Sequence, residues 1–170
     1  REVRSRLPAG QSVCPDTEFE KLTDVERPQG ILAVVRQPRW DESQVFKQEK
    51  LLGIYADRLH DPANVGAIIR TAAALNLSGV WLSAGCADPF SPKVVRATAG
   101  SMLDLPVFRR QEVGIFLRYG CEMYSAVLPA AGIVSIRMIQ RIPSRLVIAV
   151  GNEGSGLAPD VVAASHVRFS

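Results

Sequence analysis

The chain has 170 residues and a mass of 18.5 kDa; 47% of its residues are hydrophobic and 22% are charged, as in an ordinary globular domain. A chain of this length supports one compact domain, with at most a fragment of a second, and needs neither disulfides nor a metal to hold a core. The formal net charge of +3 is a mild excess that does not by itself indicate a nucleic-acid partner.

Several classes of protein are disfavoured by the residue pattern. The cysteines Cys14, Cys86 and Cys121 are odd in number and far apart, which indicates neither a disulfide framework nor a zinc site. The longest apolar run, residues 146–150, is far shorter than the roughly 20 residues of a membrane span. No signal peptide is recognisable, so the sequence predicts a soluble, cytoplasmic protein with no metal and no membrane partner.

The first part of the chain predicts little regular structure. Residues 1–30 are polar and interrupted by prolines and glycines, which is typical of a loosely structured lead-in. Residues 30–36 are a short apolar run that predicts a buried strand. Residues 37–50 are charged and predict a connector that contains a helical turn. We therefore expect residues 1–48 to be the remnant of an N-terminal domain plus its linker, and residues 49–170 to be the main domain.

From residue 51 onward, apolar strand-length runs alternate with helix-length segments. Strands are predicted at 51–56, 79–82, 105–108, 121–127 and 146–150, with another beginning at 167–169. Helices are predicted at 64–75, 91–101, 111–119 and 158–164. This alternation predicts an α/β fold, a parallel sheet with helices on both faces. Ligands of such sheets lie beyond the carboxyl ends of the strands, so we expect the chemistry in the loops after residues 56, 82, 127 and 150.

The first of these loops leads into a helix that carries a candidate anion site. Asp61-Pro62 predicts a turn, and Asn64 is placed to cap the helix, with Gly66 in its first turn. Arg70 follows Asn64 by six residues, so the two could share roughly one helix face and Arg70 could meet a phosphate held at the helix N-terminus. The alternative is structural: Asn64 only caps, Gly66 only permits close packing of helix on sheet, and Arg70 lies on the surface.

The loop after residue 150 places three glycines around one carboxylate. A buried strand runs directly into G-N-E-G-S-G-L at residues 151–157. Glycines let the backbone approach a ligand, but Glu153 disfavours a phosphate cradle. The spacing matches neither the dinucleotide fingerprint nor a P-loop, which argues against a small-molecule nucleotide enzyme. The alternative is a tight strand-to-helix turn, with Glu153 interacting with the dipole of the following helix.

A third segment carries basic residues on a helix. Ser91-Pro92 predicts the helix start, and Lys93 and Arg96, three residues apart, fall on one face. This face could bind an RNA backbone or could simply be solvated. The two histidines, His60 and His166, have no partner at catalytic or metal-ligand spacing.

Three segments together resemble the SpoU (TrmH-like) branch of the SPOUT RNA methyltransferases. Residues 61–72, D-P-A-N-V-G-A-I-I-R-T-A, are similar to the first motif of that family, and residues 151–157 to the second. Between them, residues 91–100, S-P-K-V-V-R-A-T-A-G, occupy the place of a similar family stretch. The resemblance covers about residues 51–170. Residues 30–36 also resemble the segment that precedes this domain in rRNA-directed members, which carry an N-terminal substrate-recognition domain similar to ribosomal protein L30e.

The resemblance implies a SPOUT-type trefoil-knot domain that works as a homodimer. The implied activity is S-adenosylmethionine-dependent methylation of a ribose 2′-hydroxyl in structured RNA, with 23S-type ribosomal RNA favoured as the substrate. Two alternatives stay open: a tRNA 2′-O-methyltransferase, and a catalytically degenerate SPOUT protein that only binds RNA. Family members continue into a third motif beyond the position of Ser170, so we expect the cofactor pocket and the knot to be incomplete in this chain.

The matching motif positions imply roles for individual residues. Arg70 would clamp a phosphate and stabilise the developing alkoxide, because a guanidinium hardly ever gives up its proton. Asn64 would orient Arg70 or the acceptor, and Glu153 would organise the loop or the arginine. Candidate cofactor-binding residues are Leu128, Gly151, Asn152 and Gly154, of which Leu128 is assigned by position alone. Candidate RNA-binding residues are Arg58, Lys93 and Arg96.

One departure from the family pattern lies after the first motif. The family often has Phe-Gly at the end of the helix, whereas this chain has Asn76-Leu77. Asparagine tolerates left-handed backbone better than most residues, so we expect Asn76 to occupy the left-handed position in place of glycine.

Overall fold

The structure, a computed structural model, describes residues 12–130 and 132–170. The chain divides into two units, Arg1–Arg36 and Gln37–Ser170. Residues 1–11 of the predicted lead-in lie outside the described part of the chain. Within the first unit, the described residues form one helix, α1 (Asp16–Leu22), which buries none of its residues.

The predicted strand at residues 30–36 is wrong. This described segment has no regular secondary structure, and its apolar side chains face solvent, Ile31 at 87% and Val34 at 93% exposure. A short apolar run becomes a strand only where neighbouring strands satisfy its backbone, and no sheet partner is described for these residues. The predicted connector contains the expected helical turn, α2 (Glu42–Phe46).

The second unit alternates strands and helices as predicted. Its strands are β1 (Leu51–Asp57), β2 (Gly79–Leu82), β3 (Val107–Arg109), β4 (Glu122–Ala126), β5 (Arg145–Gly151) and β6 (Val167–Phe169). The helices that follow α2 are α3 (Pro62–Ala74), α4 (Pro92–Ala97), α5 (Gly114–Arg118) and α6 (Pro159–Ala163). Two short 3-10 turns, Ser101–Leu103 and Ile136–Met138, complete the described elements.

The six strands form one parallel sheet in the order β3-β2-β1-β5-β4-β6. The central pair, β1 and β5, is separated by nearly ninety residues of sequence but is in register along its whole length. Leu51 faces Arg145 at one end, and Asp57 faces Gly151 at the other. Because parallel strands end at the same edge, the two motif loops begin side by side.

Helices cover both faces of the sheet, which confirms the predicted layers. Alternate strand residues point to opposite faces, so β2 sends Trp81 to one side and Val80 and Leu82 to the other. The first face packs aromatic residues against α2, α5 and α6; its rings are Phe46, Tyr55, Trp81, Phe108 and Phe116. The second face is aliphatic and packs against α3 and α4.

The start of α3 differs from the prediction at its cap. Asp61 is the N-cap, because its carboxylate accepts the backbone N–H of Ala63 at 2.9 Å, and Pro62 occupies the first helical turn. Asn64 therefore lies inside the first turn, and the prediction that it caps the helix is wrong. An Asp-Pro pair suits these two positions well, because proline has no N–H to satisfy and its fixed φ fits a helix start.

The start of α4 confirms the prediction, but its length does not. Ser91 Oγ accepts the N–H of Val94 at 3.5 Å, with Pro92 as the first helical residue. The helix ends at Ala97 rather than residue 101, because Ala99 and Gly100 adopt left-handed φ angles of 50° and 91°. In α3, the predicted left-handed residue Asn76 is confirmed, with a φ of 52°.

Gly66 permits close packing of α3 against another helix, α4. The structural alternative given above had predicted close packing of the helix on the sheet. A Cβ on Gly66 would lie 2.3 Å from the Cβ of Ala97. Helices α3 and α4 therefore meet at a distance that only a missing side chain allows.

Candidate active site

The two motif loops meet through one side-chain pair at the carboxyl edge of the sheet. Asn64, in the first turn of α3, donates a hydrogen bond from its Nδ2 to Oε1 of Glu153, which lies in the loop after β5. A carboxylate only accepts hydrogen bonds, so the amide nitrogen of Asn64 must face it and the amide oxygen must face away. Glu153 thus interacts with the N-terminal turn of α3, not with α6.

Asn152 organises the loop that carries Glu153. Its Oδ1 accepts the backbone N–H groups of Gly154 and Ser155, at 2.9 and 3.0 Å, and its Nδ2 donates to the carbonyl of Arg58 at 3.1 Å. The loop closes where Asn152 and Gly156 exchange two backbone hydrogen bonds. These contacts hold the loop after β5 against the end of β1.

The glycines of this loop have different surroundings. A Cβ on Gly151 would lie 2.4 Å from the backbone carbon of Gly156, so the space beside Gly151 is filled by the loop itself. Gly154 is exposed, and a Cβ there would meet only Asn152 Oδ1, at 3.5 Å. Gly154 is therefore the predicted cofactor-binding glycine with open space beside it, while its N–H is already bonded to Asn152 Oδ1.

A buried carboxylate that the sequence reasoning missed ties the two loops together. Asp57, the last residue of β1, is 3% exposed, and its Oδ2 accepts from Arg58 Nε at 3.1 Å and from the N–H of Ala158 at 2.7 Å. Arg58 Nη2 donates in turn to the carbonyl of Gly156 at 3.1 Å. The signal in the sequence was an acidic residue that ends an apolar strand directly before a loop.

The predicted catalytic arginine lies apart from the Asn64–Glu153 pair. Six residues of α-helix turn through about 600°, so Arg70 projects about 120° around the axis from Asn64 rather than from one face with it. Arg70 is exposed, and no hydrogen bond or ion pair is described for its side chain within residues 12–130 and 132–170. Its guanidinium is open to a ligand that approaches from solvent.

The remaining predicted site residues lie on the surface. Lys93 and Arg96 are both exposed on α4. Leu128 follows the end of β4 and is 83% exposed.

The segment after β4 runs beside the end of β6 and leaves apolar groups open. The N–H of Val127 donates to the carbonyl of Phe169 at 2.9 Å, and the N–H of Ile136 donates to the carbonyl of Ser170 at 3.0 Å. Leu128 and Ile136, the latter 58% exposed, therefore both flank the carboxyl end of β6. These exposed apolar side chains lie at the carboxyl ends of the strands, the edge of a parallel sheet where ligands bind.

Ionisable groups near the site do not form a metal centre. In the described part of the chain, no three His, Cys, Asp or Glu side chains lie close enough to hold an ion. Burial, with a smaller effect of the Asp57 carboxylate, raises the pKa of Tyr55, whose hydroxyl donates to the carbonyl of Gln111. Tyr55 is thus a protonated packing residue.

No described helix is long and apolar enough to cross a membrane.

Comparison with known proteins identifies relatives over most of the chain. Residues 52–170 match the SpoU rRNA Methylase family. An uncharacterised tRNA/rRNA methyltransferase of Synechocystis is 35% identical over 166 residues, which cover 95% of this chain and 57% of that protein. The 23S rRNA (guanosine(2553)-2′-O)-methyltransferase of Bacillus subtilis is 35% identical over 144 residues, which cover 82% and 54%. The chain therefore spans little more than half the length of these curated relatives.

A solved structure shares the fold. The AdoMet-bound rRNA methyltransferase of Sinorhizobium meliloti superposes with a TM-score of 0.65 at 32% identity, over 74% of this chain and 49% of that one. Its similarity confirms the predicted fold class, a parallel sheet with helices on both faces.

Proposed function

The chain belongs to the SpoU rRNA methylase family, and we propose that it transfers a methyl group from S-adenosylmethionine to a ribose 2′-hydroxyl of ribosomal RNA. The resemblance inferred from the motifs is confirmed by this membership. The observation that carries the proposed activity is the Asn64–Glu153 hydrogen bond, which joins the two motif loops at the ligand-binding edge of the sheet. The name of the Bacillus subtilis relative, a 23S rRNA 2′-O-methyltransferase, supports rRNA over tRNA.

The residues at this edge fit the cofactor. Leu128 and Ile136 offer apolar contact, and Gly154 offers open space beside its backbone. Asn152 would act indirectly, because its side chain holds the loop in shape, and Gly151 would let that loop close on itself. When bound, the cofactor would supply an electrophilic methyl group to the 2′-oxygen, with a neutral thioether as the leaving group and the hydroxyl proton passing to water.

Asn64 is proposed to orient the acceptor hydroxyl. Its amide nitrogen is held by Glu153, so its Oδ1 is turned outward and can accept a hydrogen bond from a ribose hydroxyl. This contact would direct the lone pair of the hydroxyl oxygen toward the methyl donor. Glu153 is a positioning residue in this scheme.

Arg70 is proposed to bind an RNA phosphate near the acceptor, because it projects about 120° around α3 from Asn64 and lies apart from the pair that would hold the 2′-hydroxyl. Guanidinium stays protonated in proteins, so it serves as a fixed positive charge and hydrogen-bond donor rather than as a base. Its exposed position on α3 leaves it accessible to a large substrate. Lys93 and Arg96 are proposed to contribute further contacts to the RNA backbone. Arg58 is proposed to contribute through those N–H groups that are not already bonded to Asp57 and Gly156.

We further propose that the protein works as a homodimer in the cytoplasm, where it would meet ribosomal RNA. The family resemblance implies that the acceptor ribose is presented at a dimer interface, which supports this proposal. Exposed apolar residues of the segment between β4 and β5 support such an interface: Leu128, Ile136, Met138 and Ile142. Light scattering at micromolar concentration should give twice the chain mass, and a monomer would contradict a composite site.

The test of activity is transfer of a tritiated methyl group from S-adenosylmethionine to transcripts of 23S rRNA and of tRNA. The assay compares the 170-residue chain with a version extended beyond Ser170 through the family's third motif. We expect the extended version to label rRNA, with loss of transfer when the acceptor nucleotide is replaced by its 2′-deoxy form. Arg70→Ala should reduce turnover by at least about 100-fold without changing the melting temperature. The matched control is Arg118→Ala, which removes an exposed arginine of α5 at the opposite edge of the sheet.

The outcomes separate the alternatives. Label on tRNA alone would favour the tRNA enzyme. RNA binding without cofactor binding would favour the degenerate RNA-binding protein. Near-normal turnover of Arg70→Ala would refute the role of that arginine.

A further inference from the structure

An open cavity lies at the carboxyl ends of β2 and β3, beside the motif loops and outside every role proposed above. Its volume is about 130 Å³. The segment after β2 forms one wall, and the end of β3 with the residue that follows it forms the other; the lining includes Ser83, Cys86, Asp88, Arg109 and Arg110. Two arginines, Arg109 and Arg110, and one aspartate, Asp88, give the lining a net charge of +1.

Arg109 is held in place from two sides. Its Nη1 donates to Asp88 Oδ1 at 3.1 Å, and its guanidinium carbon lies 5.3 Å from the centre of the Phe90 ring. The same Asp88 oxygen accepts the N–H of Phe90 at 3.1 Å, which fixes the carboxylate. An arginine whose orientation is set in advance loses less side-chain entropy when it binds a ligand.

Arg110 differs from Arg109 in its backbone conformation, and no partner is described for its side chain. Its φ is 58°, in the left-handed region that non-glycine residues adopt uncommonly. Within residues 12–130 and 132–170, no hydrogen bond or ion pair is described for its side chain. The left-handed residue follows directly after the end of β3, and Arg110 lines the cavity at that point.

The cavity is connected to the motif loops through Arg58. Ser83 Oγ accepts the backbone N–H of Arg58 at 2.9 Å, and a Cβ on Gly85 would lie 3.0 Å from the Arg58 side chain. The thiol of Cys86 donates to the carbonyl of Ala56 at 3.2 Å. The cavity and the Asn64–Glu153 pair therefore share one continuous edge of the sheet.

The volume and charge select a class of ligand. Pockets that enclose drug-sized molecules measure roughly 300–1,000 Å³, so this cavity is too small for a nucleoside. A tetrahedral anion fits the size, and arginine forks match phosphate oxygens. We propose that Arg109 and Arg110 bind a phosphodiester group of the substrate RNA in this cavity, at a position distinct from the phosphate near Arg70. This inference rests on the proposed function and extends it.

The test is the salt dependence of RNA binding by Arg110→Asn. Asparagine removes the charge while tolerating left-handed backbone, so the variant should fold. One lost phosphate contact should reduce the slope of log K against log salt by about 0.7 to 0.9, and weaken binding about 3- to 10-fold near 150 mM salt. Arg118→Asn, at the opposite edge of the sheet, is the matched control and should leave the slope unchanged.

A second readout locates the contact. Cys86 lines the cavity, so bound RNA should slow its alkylation by iodoacetamide, whereas RNA should leave Cys14 unaffected. This protection should be weaker in Arg110→Asn at equal occupancy.

The possible failures are distinguishable. If the wild-type protein methylates RNA but Arg110→Asn keeps the wild-type slope, or RNA leaves Cys86 unprotected, the phosphate site is refuted while the activity stands. If the wild-type protein neither binds nor methylates RNA, the proposed function fails and this inference fails with it.

Discussion

At the scale of single residues, the site depends on which atom of each side chain faces which partner. Asn64 and Glu153 are complementary because one offers an N–H and the other only acceptors. Both are partly or fully exposed, so water and ions weaken their attraction. The pair therefore contributes more to the orientation of the Asn64 amide than to the stability of the fold.

Exchanging the two functional groups tests this pairing. Asn64→Asp should place two carboxylates side by side and lower the free energy of unfolding by up to about 1 kcal/mol. Adding Glu153→Gln restores a donor facing an acceptor, so the double variant should regain most of that loss. Urea unfolding of the wild-type, single and double variants measures the effect. A double variant as unstable as Asn64→Asp would show that the two side chains do not interact.

Glu42, which contacts the aromatic face of the sheet, makes the stability of the fold depend on pH. Its Oε1 accepts from Trp81 Nε1 at 2.7 Å, yet burial raises the pKa of the carboxyl above its ordinary value of 4.5. A raised folded-state pKa means that Glu42 favours folding at low pH. This contribution is lost as the pH rises through the folded-state pKa.

Glu42→Gln keeps an acceptor for Trp81 and removes this titration. At pH 7 the variant should be more stable than the wild-type protein, by less than about 1 kcal/mol because the carboxyl is only partly buried. The difference should shrink as the pH falls below the ordinary value of 4.5. Thermal melts from pH 3.5 to 7.5 measure it, and a constant difference across that range would contradict the assignment.

At the scale of elements, the packing of α3 on α4 sets the position of the first motif. Gly66 in α3 lies against Ala97 at the end of α4. Two effects of a side chain at Gly66 oppose each other. Alanine would raise helix propensity by about 1 kcal/mol, but its Cβ would overlap Ala97, and overpacking of this kind typically costs about 1–3 kcal/mol. We expect the overlap to dominate, because the two carbons would lie 2.3 Å apart.

Substitution by alanine at two helical glycines should therefore change the stability of the protein differently. Gly66→Ala should lower the midpoint of urea unfolding. Gly114→Ala, at the start of α5 with nothing within 4 Å of the new Cβ, should leave it unchanged or raise it. Adding Ala97→Gly to Gly66→Ala should recover stability. Equal effects of the two alanines would show that α3 and α4 are not in close contact.

The cap of α3 makes a separate prediction. Asp61→Ala removes the acceptor of the Ala63 N–H and should cost about 1 kcal/mol in urea unfolding. Asp61→Asn retains an acceptor oxygen and should cost much less. If the two variants are equally destabilised, the lost charge rather than the cap is responsible.

At the scale of the whole molecule, stability is concentrated in the second unit. Both hydrophobic clusters consist of residues between Trp40 and Ala164, whereas α1 buries none of its residues. Residues without buried apolar surface contribute little to the free energy of folding.

A chain comprising only residues 37–170 should therefore fold. Its thermal unfolding should be cooperative, with a midpoint within about 2 °C of that of the 170-residue chain, because changes outside a core are usually worth less than about 0.5 kcal/mol. Circular dichroism melts of the two chains provide the measurement. A non-cooperative melt of the shorter chain would show that the first unit is required for the fold.

The sequence by itself determined those features that depend on neighbouring residues. The alternation of strands and helices, the Ser91-Pro92 helix start and the left-handed Asn76 all follow from local backbone chemistry, and the structure confirms them. The motif residues were also identified from the sequence, although their catalytic and binding roles remain predictions.

Only the tertiary structure decided which distant segments meet. The pairing of β1 with β5 places Asn64 against Glu153, and it packs the buried Asp57 against the loop that begins α6. The tertiary structure also decided that residues 30–36 form no strand in the described chain. An apolar run becomes a strand only when neighbouring strands satisfy the hydrogen bonds of its backbone. Strand order depends on contacts between residues far apart in sequence, and no local pattern of side chains specifies it.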